Sequence, residues 1–446
     1  MFHFRDGLSI PGKTFYSRGH DNPLEKCKQN GLLIIPEREM LKDGLQSLRS
    51  GHWPTLLGAW LHFEISFMVW LLIGAMGIAI SEEFSLSASQ KGLLVGTPLL
   101  GGALLRIIVG PLGDRLGAKA VGLGILGLEG IGLLLGWLGG TTFESMLGIG
   151  LVLGFAGASF AIALPLASQA YPSTHQGLAM GVAAIGNSGV LLASFMAPRL
   201  AEALGWHQVF GIMLLPVMVT ALLFFWLVQS APVKNETDAS KKDGIGVLLR
   251  TGLQDPFMYW LCFLYGVTFG GFVGLSSYLP IFFHDQFQVD MVNAGTLTAL
   301  CALAGSGARP LGGFLADRFG GLTLLQGLFL IMAALCLASG NLDHFALAYT
   351  IILLIMFCLG FGNGAIFQVV FYRFKSIMGT ASGLVGAAGG IGGFLLPSGF
   401  GWLKEITGTF SSGFFILGLV SGLAGISVMI FQRSIRSTKH TFISEI

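Results

Sequence analysis

Arg106, in the run Leu104-Leu105-Arg106-Ile107-Ile108-Val109, and Arg309, in Ala308-Arg309-Pro310-Leu311, fall inside long apolar stretches. An ionisable side chain at the centre of a membrane-spanning helix costs about 2.5–3.5 kcal/mol on insertion scales, so each needs a reason. A guanidinium is planar, permanently charged and presents a fork of donors, which suits a flat, delocalised oxyanion better than an ammonium does. The plainer alternative is that each arginine snorkels to water: Arg106 precedes the apparent helix end at Pro111-Leu112 by about 9 Å, at about 1.5 Å per residue. No acid adjoins either arginine in its own stretch. The other buried ionisable candidates are Glu64 and Glu129, with His62 beside Glu64. Burial raises and cationic neighbours lower the proton affinity of a carboxyl, so Glu64 is a candidate proton carrier. Its alternative is a static pair with Arg106, Arg309 or His62. Glu129, between Gly127 and Gly130, receives no role.

The elements that must hold these groups follow from composition. Of the 446 residues, 53% are hydrophobic and 11% charged, against roughly 25% charged in soluble domains. The chain belongs in lipid. A spanning helix needs about 20 mostly apolar residues, and twelve such segments lie near 55–80, 90–112, 119–140, 145–171, 177–200, 206–229, 256–283, 291–316, 320–340, 344–371, 378–400 and 409–432. The 67 glycines fall largely inside apolar segments, where small residues let helices approach closely. Five cysteines (Cys27, Cys262, Cys301, Cys336, Cys358) show no paired spacing and read as small buried groups. A net charge of +2 and the lack of basic runs interleaved with aromatics give no nucleic-acid signal.

Cytoplasmic loops retain excess Lys and Arg. With the N-terminus inside, the outside loops hold only Lys91, Arg199 and Lys404, so both termini are expected in the cytosol and the chain in the plasma membrane. Residues 1–54 are polar, and Gly31-Leu32-Leu33-Ile34-Ile35 is too short for a signal-peptide core. This stretch reads as a cytosolic tail. Residues 433–446 read as a second, shorter one.

One shift of 203 positions carries Arg106 onto Arg309, Asp114-Arg115 onto Asp317-Arg318, and Gly186 and Gly189 onto Gly389 and Gly392. The chain is therefore expected as two copies of one half, 55–229 and 256–432, joined by a polar linker over 230–255. Gly110-Pro-Leu-Gly-Asp114-Arg115-Leu-Gly-Ala-Lys119 resembles the short-loop signature of the major facilitator superfamily, with its echo at 313–320. That resemblance implies an all-α membrane protein of twelve transmembrane helices in two pseudo-symmetric six-helix bundles, a midplane site and alternating access. It also implies gating loops in which Asp114, Arg115, Asp317 and Arg318 latch helix ends on the cytosolic side, where a solvated, charge-retaining turn is the alternative.

Glycine-rich stretches (Gly177, Gly181, Gly186, Gly189 in the fifth segment; Gly379 to Gly393 in the eleventh) leave backbone bare for a ligand or for helix packing. Asn187, in Gly186-Asn187-Ser188-Gly189, needs a partner in hydrocarbon. Together these features resemble the nitrate/nitrite porter family. The resemblance implies that Arg106 and Arg309 clamp the anion, that Asn187 and Tyr265 donate to it, and that Phe160 and Phe269 wall it. It implies nitrate and nitrite as cargo, protons as a possible second one, no cofactor and a monomer. Ordinary helix packing is the alternative for the aromatic residues. Glu64 departs from family members whose core lacks an acid, which leaves nitrate/proton symport and nitrate/nitrite antiport both open. A carrier for another small anion, such as a carboxylate, is the nearest rival. An enzyme is disfavoured, because no His-Glu-x-x-His, Gly-x-Ser-x-Gly or metal-spaced Cys/His set occurs. A membrane sensor would be expected to carry a soluble output domain, for which the tails leave little room.

Overall fold

The computed structural model describes residues 50–172, 175–229, 245–339, 344–374 and 377–444. The expected N-terminal tail up to residue 49, and the linker over 230–244, lie outside the described residues. Every helix follows from one constraint: in lipid, backbone N–H and C=O groups must pair within their own segment. Eleven helices among the described residues are long and apolar enough to cross a membrane. The first expected span arrives in three pieces, Trp53–Trp70, Leu72–Ala75 and Gly77–Glu83, which brings the number to twelve. Leu71 and Met76, with ψ near zero, separate the pieces.

The remaining spans run over Ala88–Leu116 (second), Ala118–Gly139 (third), Phe143–Gln169 (fourth), 176–204 (fifth), Trp206–Leu227 (sixth), Pro256–Phe287 (seventh), Met291–Phe319 (eighth), Gly321–Ala338 (ninth), Phe345–Arg373 (tenth), Met378–Thr407 (eleventh) and Ser411–Ser444 (twelfth). Two boundaries differ from expectation. The twelfth helix continues past residue 432 to Ser444, and a helix over Ile245–Gln254 occupies the end of the linker. The longer helix follows because Arg433, Ser434 and Arg436 do not break a helix; they only end its apolar run.

The repeat is visible in the backbone. Spans two, five, eight and eleven each end on a glycine with positive φ: Gly117 (+88°), Gly205 (+85°), Gly320 (+87°) and Gly408 (+74°). A Cβ is disfavoured there, and the shift of 203 maps the first pair onto the second. The symmetry breaks at mid-depth. The fourth and fifth spans tighten into 3-10 turns at Gly154–Ser159 and Ile185–Ser188, whereas the tenth and eleventh continue as unbroken α-helix.

Bare backbone sets the seams between spans. Gly360 lies against the Gly305 backbone, joining the tenth and eighth spans, and Gly92 and Gly401 hold the second against the eleventh. A methyl at Gly360 would have only backbone atoms to meet. Gly360→Ala is therefore expected to destabilise the protein by about 1–3 kcal/mol, seen as a lower unfolding midpoint in detergent by fluorescence-detected gel filtration. An unchanged midpoint would show that the seam relaxes freely.

The Ser87 end of the molecule is tied across the halves. Lys91 Nζ meets Asp285 Oδ2 at 2.7 Å, and Glu405 Oε2 accepts from Ser87 Oγ and Ser89 N, both at 2.8 Å. His284 extends the cluster, 3.1 Å from Asp285 and 3.6 Å from Glu82. At the opposite end the described ion pair, Arg373 with Asp255, stays within the second half.

Candidate anion site

Arg106 is carried at mid-length on the second span and is 1% exposed. Its Nε donates to Gly157 O and its Nη1 to Gly386 O, both at 2.8 Å. The first acceptor exists because the fourth span is in its 3-10 turn there, and the second because the eleventh span carries glycine. Nη2 is buried with no partner. Three rings surround the guanidinium, with centroids at 4.9 Å (Trp70), 5.0 Å (Phe269) and 5.6 Å (Phe160).

Arg309, 8% exposed, approaches the same Phe160 ring from the eighth span, 5.8 Å from its centroid, and lies 6.0 Å from that of Phe367. Its Nη1 is also buried without a partner. Among the described residues neither arginine takes part in an ion pair. The two positive charges repel one another, and in a low-dielectric interior such repulsion is strong. The Tyr265 hydroxyl is buried beside them and makes no hydrogen bond among the described residues. Its ring stacks on Phe269, with 5.0 Å between centroids and 4° between planes, and meets Phe367 edge-on at 5.1 Å.

Five of the six residues expected to bind the anion, Arg106, Arg309, Phe160, Tyr265 and Phe269, thus come together. Asn187 sits in the 3-10 turn of the fifth span, 2% exposed; its Nδ2 reaches Ser306 Oγ at 3.4 Å, one turn before Arg309, and its Oδ1 is unpartnered.

The first span divides its polar groups between two neighbours. His62 Nε2 bonds Gly122 O at 3.1 Å and Ser66 Oγ donates to Glu129 Oε1 at 2.6 Å, both on the third span. Glu64, in between, faces the fifth span, where the single proton of the Ser188 hydroxyl is shared between its carboxyl oxygens, at 3.1 and 2.8 Å, and Ile185 O, at 2.7 Å. Glu64 therefore pairs with a hydroxyl next to Asn187 instead of with an arginine or His62. Gly186 and Gly189 make that contact possible, for a Cβ on the first would strike the Phe63 side chain and crowd Glu64 N, and one on the second would strike the Glu64 carbonyl. Gly186 and Gly189 accordingly serve helix packing, Gly181 would meet nothing within 4 Å, and in the eleventh span Gly386 serves Arg106 directly.

Of the gating-loop residues, Arg115, Asp317 and Arg318 are exposed and enter none of the described ion pairs; the Asp114 side chain lies outside the described residues. Trp70 and Phe367 are site residues that sequence reasoning passed over. Trp70 is fixed by Nε1 donating to Pro98 O at 2.8 Å, and by Gly102 and Gly157, which pack on its ring. With 36 phenylalanines and 8 tryptophans, helical spacing alone does not single them out.

Comparison with known proteins agrees with this geometry. Residues 59–397 match the family model described as Major Facilitator Superfamily. A probable nitrate/nitrite transporter, NarK2, of Mycobacterium tuberculosis is 33% identical, over 77% of this chain and 86% of its own length. The nitrite extrusion protein of Bacillus subtilis is 31% identical over 85% and 95%. A probable nitrate/nitrite antiporter, NarK1, of Thermus thermophilus is 29% identical over 82% and 88%. With paired arginines on its second and eighth spans meeting at one aromatic wall, the chain belongs to the nitrate/nitrite porter family of the major facilitator superfamily.

Proposed function

We propose that this protein carries nitrate, and nitrite, across the plasma membrane by alternating access, with both termini in the cytosol. The observation that carries this is the pair of buried guanidiniums with unpaired N–H groups and, among the described residues, no counter-ion. An anion supplies what the two arginines lack: negative charge and acceptors for Arg106 Nη2, Arg309 Nη1 and the Tyr265 hydroxyl. Asn187 donates from the first half, as Arg106 does. Without cargo, drawing the halves together around the site forces like charges together as water leaves, so closure favours the loaded carrier. The chain works as a monomer and as a transporter, with no chemical step.

In this orientation the end tied by Lys91–Asp285 and Glu405 is the outer gate. Asp114, Arg115, Asp317 and Arg318 belong to the inner gate and latch when the outer one opens. Glu64 is the proton-coupling group. Its carboxyl and Asn187 flank one 3-10 turn through Ser188, so a change of charge at Glu64 reaches the anion donor through a single residue.

Labelled nitrate flux into proteoliposomes tests cargo and coupling together, with nitrite loaded or absent and with or without a pH gradient. Expected is uptake that excess unlabelled nitrate abolishes and excess acetate or formate leaves intact. Flux displaced by carboxylate and indifferent to nitrate would identify a carboxylate carrier.

A further inference from the structure

The tenth span contributes one polar side chain to the membrane core that the proposed mechanism does not use. Asn363 is fully buried, and neither its Nδ2 nor its Oδ1 has a partner. An amide stripped of water without replacement hydrogen bonds is costly, and Asn363 is surrounded in sequence by Leu359, Gly360, Phe361, Ala365 and Ile366, which offer none.

Three observations locate it. Phe367, one turn later on the same helix face, presents its ring to Phe160, Tyr265 and Arg309. Gly362 packs on Thr268, where a Cβ would fall 2.7 Å from Cγ2; Gly364 packs on the Arg309 backbone. Asn363 is thus bracketed by the seventh span at Thr268 and the eighth at Arg309. Both neighbours carry an orphan of their own, the Thr268 hydroxyl and Arg309 Nη1. The Asn363 amide, the Thr268 hydroxyl and Arg309 Nη1 are each buried and unpartnered on spans that pack against one another, and together they offer donors and an acceptor to a polar ligand.

We propose that Asn363, with Thr268, forms a further part of the anion site and discriminates trigonal from bent oxyanions. This rests on nitrate and nitrite being the cargo. The Asn363 amide N–H and the Thr268 hydroxyl donate to the third oxygen of nitrate, an atom nitrite does not have.

The test is Asn363→Leu, close in size and free of polar atoms, with Thr268→Val beside it, each assayed in proteoliposomes for nitrate and nitrite separately. Expected for Asn363→Leu is a KM for nitrate raised about tenfold, the worth of roughly one hydrogen bond to a charged group, with KM for nitrite within about threefold of wild type. Thr268→Val shifts the same ratio less. The anion-free Asn363→Leu protein should unfold no earlier than wild type, since unpaired polar atoms have been removed. Asn363→Ser, which restores a short donor, should recover part of the nitrate preference. Equal changes for both anions, or no change, overturn the proposal. So does an Asn363→Leu protein that unfolds early or fails to fold, for the residue is then structural. Wild-type protein that moves neither anion would instead defeat the cargo assignment, and this inference with it.

Discussion

Arg106→Lys is expected to raise the KM for nitrate by about 30-fold or more while the protein still folds. Lysine keeps the charge and loses the fork. In the native arrangement Nε and Nη1 are committed to Gly157 O and Gly386 O, and Nη2 remains for the anion. One ammonium cannot hold two carbonyls on different spans and also face the cargo along a fixed line. Losing one partner of a buried, hydrogen-bonded charge pair costs about 2–5 kcal/mol, and retained charge puts this substitution near the lower end, or about 30-fold. Initial rates of labelled nitrate uptake in proteoliposomes give the number. A lysine variant with wild-type apparent affinity would rule out capture by the fork and leave only a diffuse positive field.

Glu64→Gln is expected to separate transport from coupling. Glutamine is isosteric, and its amide oxygen accepts from Ser188 as the carboxylate does, so the contact between the first and fifth spans survives. It cannot exchange a proton. For one proton per anion, each pH unit of gradient adds about tenfold to accumulation, equivalent to about 1.4 kcal/mol. That increment should vanish in the variant while nitrate/nitrite exchange continues. Accumulation that follows an imposed pH gradient as in wild type would exclude Glu64 as the coupling group and direct attention to Glu129, the other buried carboxyl of the first half.

Much of this was legible in the residues because lipid simplifies the problem. Long apolar runs leave the backbone one solution, so spans and repeat could be read from composition and one shift, and Arg106 and Arg309 stood out because charge is rare at that depth. Other features follow from tertiary context. Nothing in Trp70-Leu71-Leu72 announces a break in the first span, and Gly154–Ser159 and Ile185–Ser188 are unremarkable as sequence, yet these turns expose the Gly157 carbonyl and seat Asn187. For Glu64 the sequence offers a proton carrier or a static pair with Arg106, Arg309 or His62; its Ser188 partner depends on how closely Gly189 brings the fifth span to the first. Asn363 had a signal that went unused. Gly362-Asn363-Gly364 lies in an apolar span, and the reasoning that drew attention to Asn187 applies to it equally.

The closed end of the molecule bears on leakage. The Lys91–Asp285 pair, about one-fifth exposed on each side, and the Glu405 bonds to Ser87 and Ser89 are ties made through side chains. That end is also held by a backbone seam, Gly92 on Pro397 and Gly401 on Ala88. Two helices in contact through their main chains cannot part by moving a side chain; the whole seam must separate before an ion passes. Small fluctuations then open no path, and that end behaves as a turnstile that stays sealed to ions, and so holds the membrane potential, until the whole seam turns.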